Sequence, residues 1–235
     1  MKKNLTALWA LCFTQLFLVY FLSEAQAQYR SAIDVQEWPK GKVVLVSGDT
    51  LYGALTYYRT QDVINVLHED GALSSLSPVN VEYFVAQEMP SGRSYTFRTL
   101  RWDMGKAYSD FKKPTFFEVL NQGALTLIMR ESYIRRDAGN MSGLRNNYFY
   151  DPAFYQTGGA NFTDQVRELY YILLPNGEIV GLRNLRKDLH ALFGDKSKEV
   201  KSYVKSNKLD YEKPHQLVAI INYFNTISNS TSSVH

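Results

Sequence analysis

From Gly41 onward, apolar and polar positions alternate in short runs divided by turn residues. Lys42 to Val46 is apolar and β-branched, Ser47-Gly48-Asp49-Thr50 is turn chemistry, and Leu51 to Tyr58 alternates. Val63 to Leu67 reads as a third strand. Asp70-Gly71 signals a hairpin into Ala72 to Leu76, and Val79 to Gln87 alternates after Pro78. A second β group follows. It comprises Ser94 to Leu100, Thr115 to Leu120, Ala124 to Arg130, and a pair, Val166 to Leu174 and Glu178 to Leu182, around Pro175-Asn176-Gly177.

The period changes near the C-terminus. Asn184 suits an N-cap, and Leu185, Leu189, Leu192 and Phe193 recur at helical spacing before Gly194. In 197–207, Val200, Tyr203 and Val204 share one face, and Lys198, Lys201, Lys205 and Lys208 share the other. Pro214 opens a third helix, with Leu217, Ile220, Ile221, Phe224 and Ile227 as its apolar stripe. The expected fold class is α+β, mainly β: a small-barrel-like antiparallel sheet and a second β meander, with three helices packed on them. The tail from Asn229 to His235 is expected to fray.

One stretch fits neither pattern. Residues 138–165 carry four glycines (Gly139, Gly143, Gly158, Gly159) and a crowd of rings that includes Tyr148, Phe149, Tyr150, Phe154 and Tyr155. Long loops are usually functional or disordered, and a disordered one is poor in aromatics. Two readings follow: a contact surface for a protein partner or a glycan, or a loop that buries its own rings. The five named aromatics are the candidate binding residues.

The N-terminus reads as an export signal. Lys2 and Lys3 precede an apolar run from Leu5 to Leu22, and Ala25-Gln26-Ala27 is a small-x-small cleavage site. The alternative is an uncleaved anchor, for which a run of about 18 residues is the lower edge. Cys12 lies inside the run, after Ala10-Leu11, and is a poor site for lipidation. The expected organisation is a signal peptide at 1–27, a polar leader at 28–40, a β-rich region at 41–183 and a helical segment at 184–228. The mature chain would lie in the periplasm, the outer envelope or outside the cell.

Composition narrows the chemistry. The chain has 235 residues, 45% hydrophobic and 21% charged, and a net charge of +3. Cleavage would remove two bases and one acid, leaving +2 and no cysteine. Thiol catalysis, cysteine-ligated zinc and iron–sulfur clusters are thereby excluded, and an export product without disulfides must rely on its core.

Residues 41–87 resemble, in strand and turn order, small barrels of the SH3, Sm and PRC type. The strings "LYGAL" and "NVEYF" carry the likeness, which implies architecture only. More broadly, residues 41–225 resemble a group of exported proteins of Bacteroidota with no assigned activity. The resembling stretches are "GKVVLVSGDTLYGALTYY" (41–58), "NVEYF" (80–84), "PTFFEVLNQGALTLIMRE" (114–131), "YYILLPNGEI" (170–179) and "LRKDLHALFGDKSKEVKSYVKSNKLD" (185–210). That resemblance implies a location and a layout, not a reaction.

His68 beside Glu69 and Asp70 is explained by a solvated turn. His190 belongs at the edge of a helix and His215 in a first helical turn, so no metal site is expected. There is no Gly-x-Ser-x-Gly elbow, no phosphate loop, no Gly-x-Gly-x-x-Gly and no EF-hand loop, so no cofactor is expected. The strings Ser109–Lys112 and Ser202–Lys205 lack the companion motifs of Ser-Lys catalysis. The carboxylates Glu82, Glu88, Asp103, Asp110, Glu118, Glu131, Asp137 and Glu168 could supply a glycosidase pair, but sequence cannot match them across a cleft. Glu118 interrupts the apolar run Phe116-Phe117-Glu118-Val119-Leu120. Alternation places it outward; a sharper reading makes it a pocket acid partnered by Arg130 or Arg98. Segment 183–213 holds nine Lys or Arg against five Asp or Glu. Export argues against nucleic acid as its partner, and a solvated face or weak attraction to anionic envelope surfaces accounts for it. The expectation is a non-enzymatic exported binding module for an envelope protein or glycan, with no transmembrane segment after cleavage. The alternative is a glycan-binding protein or hydrolase with an unrecognised carboxylate site.

Overall fold

The computed structural model describes residues 34–106, 110–137 and 162–232. Ten strands form one antiparallel sheet: β1 (Val35–Leu45), β2 (Thr50–Tyr58), β3 (Val63–Leu67), β4 (Leu73–Leu76), β5 (Val81–Gln87), β6 (Ser94–Trp102), β7 (Lys113–Val119), β8 (Thr126–Asp137), β9 (Phe162–Leu173) and β10 (Ile179–Gly181). Three α-helices follow among the described residues: α1 (Leu185–Leu192), α2 (Ser197–Ser206) and α3 (Pro214–Ser232). The two β groups expected from sequence are therefore one sheet, in the order β4-β3-β2-β1-β5-β6-β7-β8-β9-β10. Only β5 departs from a simple meander, returning to the far side of β1.

The sheet is open, with β4 and β10 at its edges, so the expected small barrel is not closed. It is strongly curled instead. In a flat sheet β2 and β7 would stand about 19 Å apart. Here the rings of Tyr57 on β2 and Phe116 on β7 are 6.0 Å apart. Two glycines face each other where β1 and β2 bend, Gly41 and Gly53. A Cβ on Gly41 would collide with Leu55, and one on Gly53 with the Leu67 carbonyl. The bend therefore depends on backbones approaching where no side chain fits. A bulge between Trp38 and Gly41 adds to it.

Curling rolls one face around a core of Trp38, Val43, Leu55, Tyr57, Ile64, Val66, Val81, Phe84, Ala86, Phe97 and Phe116. Phe84 stacks on Phe97 with centroids 4.5 Å apart, and Phe116 meets Phe84 edge-on at 5.2 Å. Further along the same face, Leu127 and Ile172 of β8 and β9 pack beneath the helices, against Leu189, Phe193, Val200, Leu217, Ile220, Ile221 and Phe224. The opposite face holds a smaller cluster of Trp102, Phe117, Ile128 and Tyr171.

The helices dock through amides as well as apolar surface. Buried Asn225 of α3 accepts from the Leu125 N–H and donates to the Leu125 carbonyl, both at 2.9 Å, completing a peptide's pairing as a strand would. Asn121 donates to Asn222 at 2.9 Å beside it. Asn184 caps α1 as expected, accepting from the Lys187 N–H, and Gly194 ends that turn at φ 51°. No described helix is long and apolar enough to cross a membrane.

Three sequence expectations need correction. β1 starts at Val35, inside the stretch read as a polar leader. Glu37, Pro39 and Lys40 hide the strand, yet Trp38 among them is only 4% exposed. α3 continues through Asn229 to Ser232, where fraying was expected. Glu118 does not point outward: it is 8% exposed, because β7 is covered on both faces.

Candidate functional site

The curl brings polar groups together at a seam on the sheet's inner face, between its two cores. One cross-strand row runs Val43, Phe84, Phe97, Glu118, Met129, Tyr170 across β1, β5, β6, β7, β8 and β9. Glu118 is its one charged member. Two residues along β8, Glu131 lies opposite Glu168 of β9. Three of the eight carboxylates named from sequence thus share this face on adjacent strands.

Each has its own environment. Burial foremost, then the charges of Glu131 and Glu168, raises the Glu118 carboxyl from its ordinary 4.5 to about 7, against the opposing pull of Arg93. Glu131 is bound by Arg59 from the end of β2. Glu168 accepts from the Tyr170 hydroxyl, whose own ionisation burial and Glu168 push up. Neither arginine expected as the Glu118 partner fills that role. Arg98 lies opposite Phe117, on the other face. Arg130 pairs with Asp62.

That last pair solves a backbone problem. The β7–β8 ladder ends at Glu118–Met129 and Val119–Ile128. Phe116 turns its N–H and C=O the same way as Glu118, but there the strands have parted. Asp62, in the β2–β3 turn at φ 55°, takes the missing strand's place. Its Oδ2 accepts from the Phe116 N–H at 3.3 Å and from Arg130 Nη1 at 3.4 Å. Its Oδ1 accepts from the Tyr57 hydroxyl at 2.8 Å, and burial and the Asp62 charge hold that phenol well above its usual range. Arg130 Nη1 also donates to the Phe116 carbonyl at 3.0 Å, and its guanidinium lies over Phe117 and Trp102. Asp62 and Arg130 thus satisfy a buried peptide and lock the curled end of β2 onto β7 and β8. The cleft above Glu118 and Glu131 encloses about 10 Å³, room for a single water.

A second place is open. A groove of about 630 Å³ runs between α1, α2 and the loop to α3. Arg186 and His190 come from one face of α1; Lys201, Val204 and Lys205 from one face of α2; Lys208, Leu209, Asp210, Tyr211 and Glu212 from the loop. His190 is fixed at both ring nitrogens, Nδ1 3.0 Å from Ser197 Oγ and Nε2 2.8 Å from Tyr211 Oη. Burial, with the charges of Lys201 and Arg186, holds the imidazole below its ordinary 6.5. Arg186, Lys201, Lys205 and Lys208 have no ion pair among the described residues.

The lysine stripe was visible in the sequence. Missed was that α1 and the 208–212 loop face it, turning a solvated stripe into one wall of a groove. Lys198 is not among the lining residues. Elsewhere, His68 Nε2 lies 2.8 Å from Ser74 Oγ across the β3–β4 hairpin, and His215 is exposed in the first turn of α3. Ser202 is exposed on α2 while Lys205 turns into the groove. Among the described residues no three His, Cys, Asp or Glu are grouped to hold a metal. The candidate aromatics Tyr148, Phe149, Tyr150, Phe154 and Tyr155 lie outside the described residues, as do Ser109 and the stretch 1–27 expected to be an export signal. Compared with known protein families, with curated proteins and with solved structures, the chain matches none.

Proposed function

We propose that this chain is a non-enzymatic binding module, exported to the periplasm, the outer envelope or the cell exterior. Export rests on Lys2, Lys3, the Leu5–Leu22 run and the Ala25-Gln26-Ala27 site. Binding rests on one contrast. At the acidic seam Glu131 and Glu168 are tied to Arg59 and Tyr170 and Glu118 is buried, under a cleft the size of one water, whereas the helical groove has a ligand's volume and four cations without ion pairs among the described residues. An envelope glycan or a phosphorylated envelope component fits that groove better than a protein surface does.

The hydrolase reading has one observation in its favour: a buried carboxyl that titrates near 7 can hold a proton at neutral pH. Access argues against it. The test passes native envelope extract over immobilised mature protein and analyses the retained small molecules by mass spectrometry. The proposal expects a compound retained and released unchanged, and less of it on Arg186→Gln/Lys201→Gln. A retained compound that is converted by wild type and not by Glu118→Gln would overturn it in favour of the hydrolase.

A further inference from the structure

We propose that the α1–α2 groove binds the phosphate ester of a polyol, either free or as a lipid headgroup; this rests on the binding-module reading above. The make-up of the groove points to that chemistry. Its cations come from three separate elements, Arg186 on α1, Lys201 and Lys205 on α2, and Lys208 in the loop, so they converge on one volume. None has a carboxylate within ion-pair distance among the described residues. A cationic cluster left open in this way fits a multiply charged anion, and the guanidinium suits phosphate oxygens in particular. His190, held between Ser197 and Tyr211, gives the groove a rigid floor.

The acids in the groove refine the ligand. Asp210 and Glu212 also line it, and Asp210 Oδ1 is partly engaged by the Glu212 N–H at 3.0 Å. A bare polyanion would be repelled by them. A ligand with hydroxyls beside its phosphates would donate to them, while Val204, Leu209 and the Tyr211 ring take a carbon skeleton. About 630 Å³ suits a sugar or glycerol phosphate.

The backbone adds a separate observation. α2 ends in a Schellman turn: the Leu209 N–H donates to the Val204 carbonyl at 3.0 Å and the Lys208 N–H to the Lys205 carbonyl at 3.3 Å. Lys208 therefore occupies the left-handed position at φ 53°, where glycine is strongly preferred. A lysine stands there, at a cost in backbone strain, with its side chain lining the groove.

The strain permits a test that unfolding cannot imitate. Binding of fructose 1,6-bisphosphate is measured by calorimetry, and binding to vesicles of phosphatidylglycerol by co-sedimentation. Lys208→Gly should raise the melting temperature by about 2–4 °C and weaken binding several-fold. Lys201→Gln/Lys205→Gln should fold normally and bind at least about tenfold more weakly. Lys187→Gln/Lys198→Gln/Lys213→Gln removes at least as much charge off the groove and should bind within about twofold of wild type. Fructose bisphosphate binding identifies a free ester; vesicle binding alone identifies a headgroup; either supports the proposal. Failure of both probes, or equal loss in the off-groove variant, overturns it. In that event an uncharged envelope saccharide retained in the groove would leave the binding-module reading standing, and conversion of any retained compound would remove that too.

Discussion

The seam and the groove are built from the same residue types and put them to opposite uses. At the seam, Asp62, Arg130, Arg59 and Glu131 come from distant parts of the chain and are paired off, and two of them replace a missing stretch of β ladder. In the groove, Arg186, Lys201 and Lys205 come from neighbouring helices and Lys208 from the loop that follows, and all four are left facing solvent. Charge that has been desolvated must be matched, or the fold loses it as stability. Charge that stays wet costs the fold little and remains available to a ligand. Burial and pairing, more than residue identity, separate the structural site from the candidate binding site.

The comparison can be broken most readily at Asp62. Asp62→Ala strands the Phe116 N–H, the Tyr57 hydroxyl and the Arg130 guanidinium, and should cost about 3–5 kcal/mol of unfolding free energy in urea titrations. A loss below 1 kcal/mol would show that the pair is not what holds the curl.

Glu118 gives the next largest effect, and its sign depends on pH. Its carboxyl keeps its proton in the folded state up to about 7, and loses it near 4.5 when unfolded. Between those values the folded chain binds more protons, so its stability falls as pH rises through this window. The full loss, about 3 kcal/mol, is reached above pH 7. Glu118→Gln should therefore match wild type near pH 4 and exceed it by up to that amount at pH 8. Thermal melts across pH 4–8 will read it, and parallel curves for the two proteins would contradict the burial argument.

Asn225→Ala acts where α3 meets the β7–β8 turn. Leaving both backbone groups of Leu125 unpaired should cost about 1–3 kcal/mol in denaturant midpoint. Smallest of all, Lys201→Gln/Lys205→Gln should leave stability within about 0.5 kcal/mol, since neither lysine supports the fold.

Much of this architecture was legible in the chain. Asp70-Gly71 and Asn176-Gly177 marked hairpins that the structure contains, and the Leu185–Leu192 and Pro214–Ile227 stripes marked helices that pack as their periods required. Alternation failed at Glu118 because it assumes one wet face, and β7 has none. It failed at Val35 to Lys40 because one inward tryptophan between Glu37, Pro39 and Lys40 makes no pattern. The Asp62–Arg130 pair spans 68 residues and depends on the sheet curling, which no local signal records. The groove was half visible: the lysine face is a helical period, but its opposing wall is a tertiary fact.

The most direct test sets the two sites side by side in a single experiment. Equilibrium urea unfolding at pH 7 would be measured for wild type, Asp62→Ala and Lys201→Gln/Lys205→Gln/Lys208→Gly. The account predicts a loss of about 3–5 kcal/mol for the seam variant and an unchanged or slightly raised stability for the groove variant. A groove variant as destabilised as the seam variant would mean that those cations serve the fold, and the distinction drawn between the two sites would be wrong.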